Sequence, residues 1–150
     1  MSRLTSWWRQ PDQFDWITTF LRQRSLIRSA QVSLAIVSAS AAGDRLLQIV
    51  AELLRERTQS DAIICRAGGE EFLIAVTCSP DKVAALAGPL CSAIAGHPSG
   101  ITVSIGTASA ELHVLRTSAG GTSLDELVCA ADRAMYAAKR LGGNQARRFG

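Results

Sequence analysis

The sequence predicts an α+β fold in which helices flank a central antiparallel or mixed sheet. Segments with strand-like and helix-like patterns follow the order strand, helix, hairpin, helix, strand, helix, strand along the 150 residues. This order combines local antiparallel pairing with helical crossovers, which is typical of a sheet covered by helices. An apolar fraction of 47% with 19% charged residues indicates one ordinary globular core.

Three helices are predicted from apolar side chains that recur at helical spacing. Residues 44–57 carry this pattern, with charges on the opposite side. A second helix opens at Pro80 and closes at the Gly-His-Pro sequence 96–98, because proline suits a first helical turn and glycine ends helices. A third begins with a capping-box sequence at 123–126 and ends at the paired glycines 142–143.

The strands are predicted from short apolar runs. Residues 32–37 are apolar and β-branched, and we expect them at the centre of the sheet, because an empty central position would expose the apolar edges beside it. Residues 62–77 hold two apolar runs around a polar turn, which predicts a β-hairpin with residues 68–71 at its tip. Residues 101–106 alternate as a strand, and residues 145–149 are long enough for a terminal one.

Two regions are distinguished along the chain, a lead over residues 1–29 and a domain over residues 30–150. Residues 12–24 mix aromatic and basic side chains and predict an amphipathic helix, which we expect to pack on the domain rather than anchor it at a membrane surface. The longest uncharged apolar run, residues 30–42, is shorter than the ~20 residues that span a bilayer. Membrane association through residues 1–42 is therefore not favoured, and we expect a cytoplasmic protein.

Charge and cysteine usage exclude several classes of function. A net charge of +3 falls short of the concentrated basic face of a nucleic-acid-binding protein, although it suits small anionic ligands such as nucleotides. The cysteines show no paired metal-binding spacing, which indicates reduced core residues rather than a metal site. They are Cys65, Cys78, Cys91 and Cys129.

The hairpin tip is the most informative local feature for chemistry. Gly68 and Gly69 allow close approach of the backbone to a ligand, and Glu70 and Glu71 present two adjacent carboxylates beside them. Carboxylates hold Mg²⁺ in phosphoryl-transfer sites, where the metal clamps phosphate oxygens. By itself this tetrapeptide is equally compatible with a solvated structural turn.

Three segments in the same order resemble the GGDEF family of diguanylate cyclases: Arg-Ala-Gly-Gly-Glu-Glu-Phe at 66–72, Thr-Val-Ser-Ile-Gly at 102–106, and Ala-Asp-Arg-Ala-Met-Tyr-Ala-Ala-Lys at 131–139. The resemblance covers roughly residues 43–149 and implies the nucleotidyl-cyclase fold, a ferredoxin-like palm. Members join two GTP molecules into cyclic di-GMP, with one GTP on each half of a homodimer. The resemblance also implies two Mg²⁺ or Mn²⁺ ions at each site.

Carried over position by position, the resemblance implies roles for the loop residues. Glu70 matches the metal-binding acid of the signature loop and Glu71 the adjacent acid used for substrate or metal, so these two are the catalytic candidates. Gly68 and Gly69 match the backbone that faces the phosphates.

Two further substrate-binding candidates lie outside the loop. Asp44 resembles the family's guanine-contacting acid, although a bare acid at this position is more often a charge at a helix N-terminus. Lys139 resembles the phosphate-contacting lysine, whose alternative is a solvated charge in a last helical turn.

The first strand departs from the family. Members end this strand in an Asp-x-Asp-x-Phe-Lys pattern and continue to an asparagine that reads guanine. Here Ser38 and Ser40 appear in place of the carboxylates, and the chain runs directly into Gly43 and Asp44, so the metal aspartate, the lysine and the asparagine have no counterpart. Residues 57–61 also differ from the inhibitory Arg-x-x-Asp pattern, so we expect no product feedback.

These departures leave two interpretations of the chain. It is either a diguanylate cyclase with impaired activity or a non-catalytic member that binds a nucleotide or mediates dimerisation. Residues 30–42 are either a degenerate first strand or the beginning of a membrane helix joined to the domain by a deletion. We expect cyclic di-GMP synthesis to be absent or severely reduced, because Glu70 and Glu71 come from one loop and cannot enclose a metal from opposite sides.

Overall fold

A computed structural model of the chain describes residues 31–40, 43–59, 62–111 and 124–150. The order of its elements is the one that the sequence predicts. The elements are β1 (Gln31–Ala39), α1 (Asp44–Arg57), β2 (Ile63–Arg66), β3 (Glu71–Thr77), α2 (Pro80–Ala95), β4 (Val103–Glu111), α3 (Leu124–Arg140) and β5 (Ala146–Arg148). The predicted α+β class is therefore confirmed, while the helix predicted at residues 12–24 lies outside the described residues.

The five strands form one mixed sheet in the order β2-β3-β1-β4-β5. The central strand, β1, runs antiparallel to β3 and to β4, while β5 pairs with β4 in parallel. Every residue of β1 after Gln31 is buried, which explains why its residues are apolar apart from Ser33 and Ser38. The central position predicted for residues 32–37 is confirmed. These residues form a strand rather than a helix, and no helix within the described ranges is long and apolar enough to cross a bilayer.

Side-chain alternation along the strands divides the core between the two faces of the sheet. One face carries α1 and α2, and its cluster includes Val37 of β1, Phe72 of β3 and Ile105 of β4. The other face carries α3, whose Ala131 and Met135 pack against alternate residues of the same strands. We call the second surface the α3 face.

The helix ends agree with the capping signals in the sequence. In α2 the Ser79 hydroxyl accepts a hydrogen bond from the Lys82 amide at 3.2 Å, and Pro80 occupies the first turn. After α3 the Gly142 and Gly143 amides donate to the carbonyls of the last turn, and both glycines have positive φ. The predicted end of the third helix at residues 142–143 is thus confirmed.

Candidate functional site at the hairpin end of the sheet

Four separate parts of the chain meet at one end of the sheet, which we call the tip end. β1 runs toward this end and stops at Ala39, while the β2–β3 hairpin turns there. β4 begins beside the end of β1, and α3 returns along the sheet so that its C-terminus lies there too. Topology therefore brings together the end of β1, the hairpin tip, the start of β4 and the last turn of α3.

The hairpin tip is a short turn that the chain itself holds in shape. β2 ends at Arg66 and β3 begins at Glu71, so the predicted hairpin is confirmed, with Glu71 in the strand rather than in the turn. The Ala67 amide donates to the Glu71 carbonyl at 2.8 Å. The Arg66 guanidinium donates to the carbonyl oxygens of Gly68, at 3.0 Å, and Gly69. The hairpin thus supplies its own donors to the Gly68 and Gly69 carbonyls.

The glutamates of the tip differ in how they are attached to the sheet. The Glu70 carbonyl accepts a hydrogen bond from the Ala39 amide at 2.9 Å, which ties the tip to the end of β1. Glu71 is paired in register with Ser38 of β1. One Glu71 carboxylate oxygen lies 3.5 Å from the point where a Cβ on Gly68 would stand, so this side chain is close to the glycine backbone.

Ser38 lies between polar neighbours on both sides. It is paired in register with Glu71 of β3 and with Ser104 of β4, and alternation places all three on the α3 face. Ser38 is 2% exposed, and its hydroxyl has no hydrogen-bond partner among the described residues. Sequence reasoning named Ser38 but missed Ser104, although Ser104 lies two residues before Gly106 in an alternating strand and therefore shares its face.

Two other sequence candidates, Asp44 and Lys139, form no hydrogen bond or ion pair with Ser38, Glu71 or Ser104 in the part of the chain that the structure describes. Asp44 is the exposed first residue of α1, where a carboxylate stabilises the helix N-terminus. Among the residues that the structure describes, no side chain caps this helix, whose N-cap Gly43 has a φ of 141°. The Lys139 ammonium lies 5.6 Å from the centre of the Tyr136 ring, a cation–π distance on the surface of α3.

The side chains at the tip end do not fit the two divalent cations that the resemblance implies. Mg²⁺ and Mn²⁺ bind to several convergent oxygen ligands, with carboxylates supplying the charge. On the α3 face the three neighbouring strands offer the Glu71 carboxylate beside the neutral hydroxyls of Ser38 and Ser104. Across the part of the chain that the structure describes, no three His, Cys, Asp or Glu side chains are grouped so that they could hold a metal ion.

Comparison with solved structures places this fold among GGDEF domains. The active GGEEF domain of a diguanylate cyclase from Vibrio cholerae is 22% identical with a TM-score of 0.75, over 98% of this chain and 96% of that one. The GGDEF domain of DgcB from Caulobacter crescentus in complex with c-di-GMP is 21% identical with a TM-score of 0.74, over 91% and 88%. A microbial GGDEF domain described with cyclic di-GMP is 28% identical with a TM-score of 0.68, over 89% and 83%.

The comparison of sequences agrees with the comparison of structures. The family model described as diguanylate cyclase, GGDEF domain, matches residues 40–145, a range that includes both the hairpin and α3. A search of curated proteins gave no match. Because the family model covers more than half of the chain, and the sheet and its helices match solved GGDEF domains, this chain belongs to the GGDEF family.

Proposed function

We propose that this chain is a diguanylate-cyclase-like domain in which synthesis of cyclic di-GMP from two GTP molecules is absent or severely reduced. Family membership supports the reaction class, and the Gly-Gly-Glu-Glu-Phe sequence at residues 68–72 supports a retained loop. The end of β1 supports the loss of activity. The observation that supports this loss most directly is the pairing of Ser38 with Glu71, because Ser38 is neutral where a second carboxylate is needed.

In this proposal the loop residues keep the roles that the family resemblance implies. Glu70 is the metal-binding acid, Glu71 the adjacent acid, and Gly68 and Gly69 face the phosphates. The hydrogen bond from the Ala39 amide to the Glu70 carbonyl supports this, because it holds the loop against the end of β1. The loop alone is insufficient, since two carboxylates on adjacent residues supply only part of the oxygen ligands that a divalent cation needs.

The expected loss of rate follows from the missing charge. In a two-metal site, the ions would stabilise the negative charge on the attacking and leaving oxygens in the transition state. Loss of a protein ligand to these ions therefore costs several kcal/mol. About 1.4 kcal/mol corresponds to a factor of ten in rate, so we expect a reduction by orders of magnitude. The Ser40 hydroxyl does not compensate, because it accepts a hydrogen bond from the Thr102 amide at 2.9 Å and is neutral.

The test is incubation of the purified chain with GTP and either Mg²⁺ or Mn²⁺, followed by chromatography for cyclic di-GMP. We expect no more product from the unaltered chain than from Glu70→Ala, which removes one of the two loop carboxylates. Circular dichroism on both samples shows that they are folded. Robust turnover that is lost in Glu70→Ala would contradict the proposal, because another residue would then supply the missing ligand.

A non-catalytic role in nucleotide binding or dimerisation is the second candidate. The observation that favours it is that Lys139, exposed in the last turn of α3, lies at the same end of the sheet as the glycine loop. A lysine and backbone amides suit a phosphate group without requiring catalysis. We place such a role in the cytoplasm, and the net charge of +3 does not favour nucleic acid as a partner.

Titration calorimetry with GTP in the presence of Mg²⁺ tests this second role. We expect binding that weakens in Lys139→Ala and is unchanged in Arg133→Ala, an exposed cation of the same helix outside its last turn. Sedimentation of the chain with and without GTP measures dimerisation. A folded chain that neither binds GTP nor dimerises would exclude this role.

A further inference from the structure

We infer that position 38 decides whether the tip end of this sheet can hold a divalent cation, and that with serine there it holds none. The inference rests on the proposed function and deepens it, because it assigns the loss to one side chain. Ser38 stands in the central strand with Glu71 on one side and Ser104 on the other. It is therefore the position from which a second carboxylate would oppose Glu71 directly.

The spacing of the strands makes position 38 suitable for a side chain that shares one cation with Glu71. Directly paired residues of antiparallel strands have Cβ atoms about 5 Å apart and project from the same face, so carboxylates at 38 and 71 could bind one cation together. Glu70 precedes Glu71 in the chain and is held through its own carbonyl to Ala39. The hairpin therefore contributes Glu71 to this face, and position 38 is the neighbouring place on β1 for a second ligand.

The surroundings of Ser38 explain why the hydroxyl does not substitute for a carboxylate. The side chain is enclosed and its oxygen has no protein partner, so it brings no negative charge and no organised hydrogen-bond network to the site. A hydroxyl is a weaker ligand than a carboxylate for a hard divalent cation, which must give up part of its hydration shell to bind. Among Ser38, Glu71 and Ser104, only Glu71 then carries a charge.

An aspartate at position 38 reverses this balance. Two carboxylates at opposed positions of neighbouring strands repel one another when no cation lies between them. A bound cation removes the repulsion and supplies the missing attraction. The variant should therefore be less stable than the unaltered chain without a divalent cation and should regain stability when one is added.

The experiment uses Mn²⁺ as the probe, with binding followed by electron paramagnetic resonance and stability by thermal unfolding. We expect Ser38→Asp to bind Mn²⁺ about tenfold more tightly than the unaltered chain, or better, because affinity follows the number of charged ligands. Ser38→Asn has nearly the same size without the charge and should not gain binding. Ser40→Asp adds the same charge at an exposed position whose hydroxyl is engaged with Thr102, and it should not gain binding either.

A double variant identifies the ligand pair. Ser38→Asp combined with Glu71→Gln should lose the gain in Mn²⁺ affinity. If Ser38→Asp fails to fold, the test passes to Ser38→Cys, which is close to serine in size and offers a thiolate that binds Zn²⁺. Added Zn²⁺ should then raise the unfolding temperature of Ser38→Cys but not that of Ser38→Ala.

Three results would overturn the inference. The first is Mn²⁺ binding by the unaltered chain that weakens in Glu71→Gln. The second is a folded Ser38→Asp variant without improved Mn²⁺ binding, and the third is equal improvement in Ser40→Asp. Mn²⁺ binding by the unaltered chain without product from GTP would refute this inference and leave the proposed function standing, whereas product formation would refute the proposed function itself.

Discussion

Two buried serines of the central strand β1 differ in the hydrogen bonding of their hydroxyls. The Ser33 hydroxyl donates to the Cys78 carbonyl at 3.0 Å and is paired with the Ser109 hydroxyl at 2.7 Å. The Ser38 hydroxyl is buried without a partner. Since both residues are almost fully enclosed, the difference lies in hydrogen bonding rather than in burial. An unsatisfied buried hydroxyl lowers stability, whereas a bonded one contributes to it.

We therefore expect opposite effects from the same substitution at these two positions. Ser38→Ala should raise the free energy of unfolding by up to about 1 kcal/mol, because it removes an unsatisfied polar group. Ser33→Ala should lower it by about 1–2 kcal/mol, because it leaves the groups that Ser33 bonds unpaired. Denaturant unfolding of the two variants measures the difference. A loss of stability in Ser38→Ala as large as in Ser33→Ala would show that the Ser38 hydroxyl has a partner in solution.

At the scale of elements, the packing of α3 on β4 depends on a glycine. A Cβ built on Gly106 would overlap the Ala131 carbonyl oxygen and the Met135 amide nitrogen, both of which are backbone atoms of α3. Backbone cannot move aside as a flexible side chain can, so the helix rests directly on the strand. The same packing brings the turn after α3 against the start of β4, where a Cβ on Gly143 would stand 3.4 Å from the Ser104 hydroxyl.

Gly106→Ala tests this contact. We expect it to lower the free energy of unfolding by about 3 kcal/mol, because the added methyl must displace helix backbone from the sheet. The matched control is Gly88→Ala in α2, where an added Cβ has no atom within 4 Å. There the change should stay within about 1 kcal/mol, since better helix propensity is offset by the following proline. Equal effects of the two substitutions in denaturant unfolding would contradict direct backbone contact.

At the scale of the whole molecule, each face of the sheet has one buried cysteine in its core. Cys91 packs in the core shared by α1 and α2, and Cys65 packs in the core under α3. Burial raises the pKa of the Cys65 thiol from 9.0 to about 12, although a hydrogen bond to Leu73 backbone lowers it slightly. Burial also raises the pKa of the Cys91 thiol, to about 11. Cys129 is exposed on α3.

These shifts predict a loss of stability in alkaline solution. Because the folded-state pKa values are raised, the folded chain holds both protons more tightly than the unfolded chain, and stability is complete below the unfolded pKa of 9.0. It is lost as the pH rises from there toward 11 and 12. The free energy of unfolding should fall by at most about 1.4 kcal/mol per pH unit for each thiol.

Denaturant unfolding across pH ~7 to ~10 measures this slope. Combined Cys65→Ala and Cys91→Ala substitutions should flatten it, and Cys129→Ala should leave it unchanged. A thiol reagent should react with Cys129 in the folded chain and with Cys65 and Cys91 only after unfolding. Fast reaction of Cys65 in the native state would show that the core under α3 opens readily.

The sequence by itself determined the elements and their order, because these depend on local patterns. The period of apolar residues marked the helix at Asp44–Arg57, and the glycine-rich turn between two apolar runs marked the hairpin. Capping residues located the ends of α2 and α3 to within a few positions. A local motif also singled out Glu70 and Glu71 as candidate site residues, and their roles belong to the proposed function.

Tertiary structure decided which residues face one another, because pairing register joins positions far apart in the chain. Sequence alone left residues 30–42 open between a strand and a membrane helix, since a short apolar run suits either. The pairing of β1 with β3 and β4 decided this for Gln31–Ala39 by satisfying its backbone hydrogen bonds on both sides. The same register set Ser38 between Glu71 and Ser104, a neighbourhood that no local pattern encodes because 33 residues separate Ser38 from Glu71 and 66 separate it from Ser104.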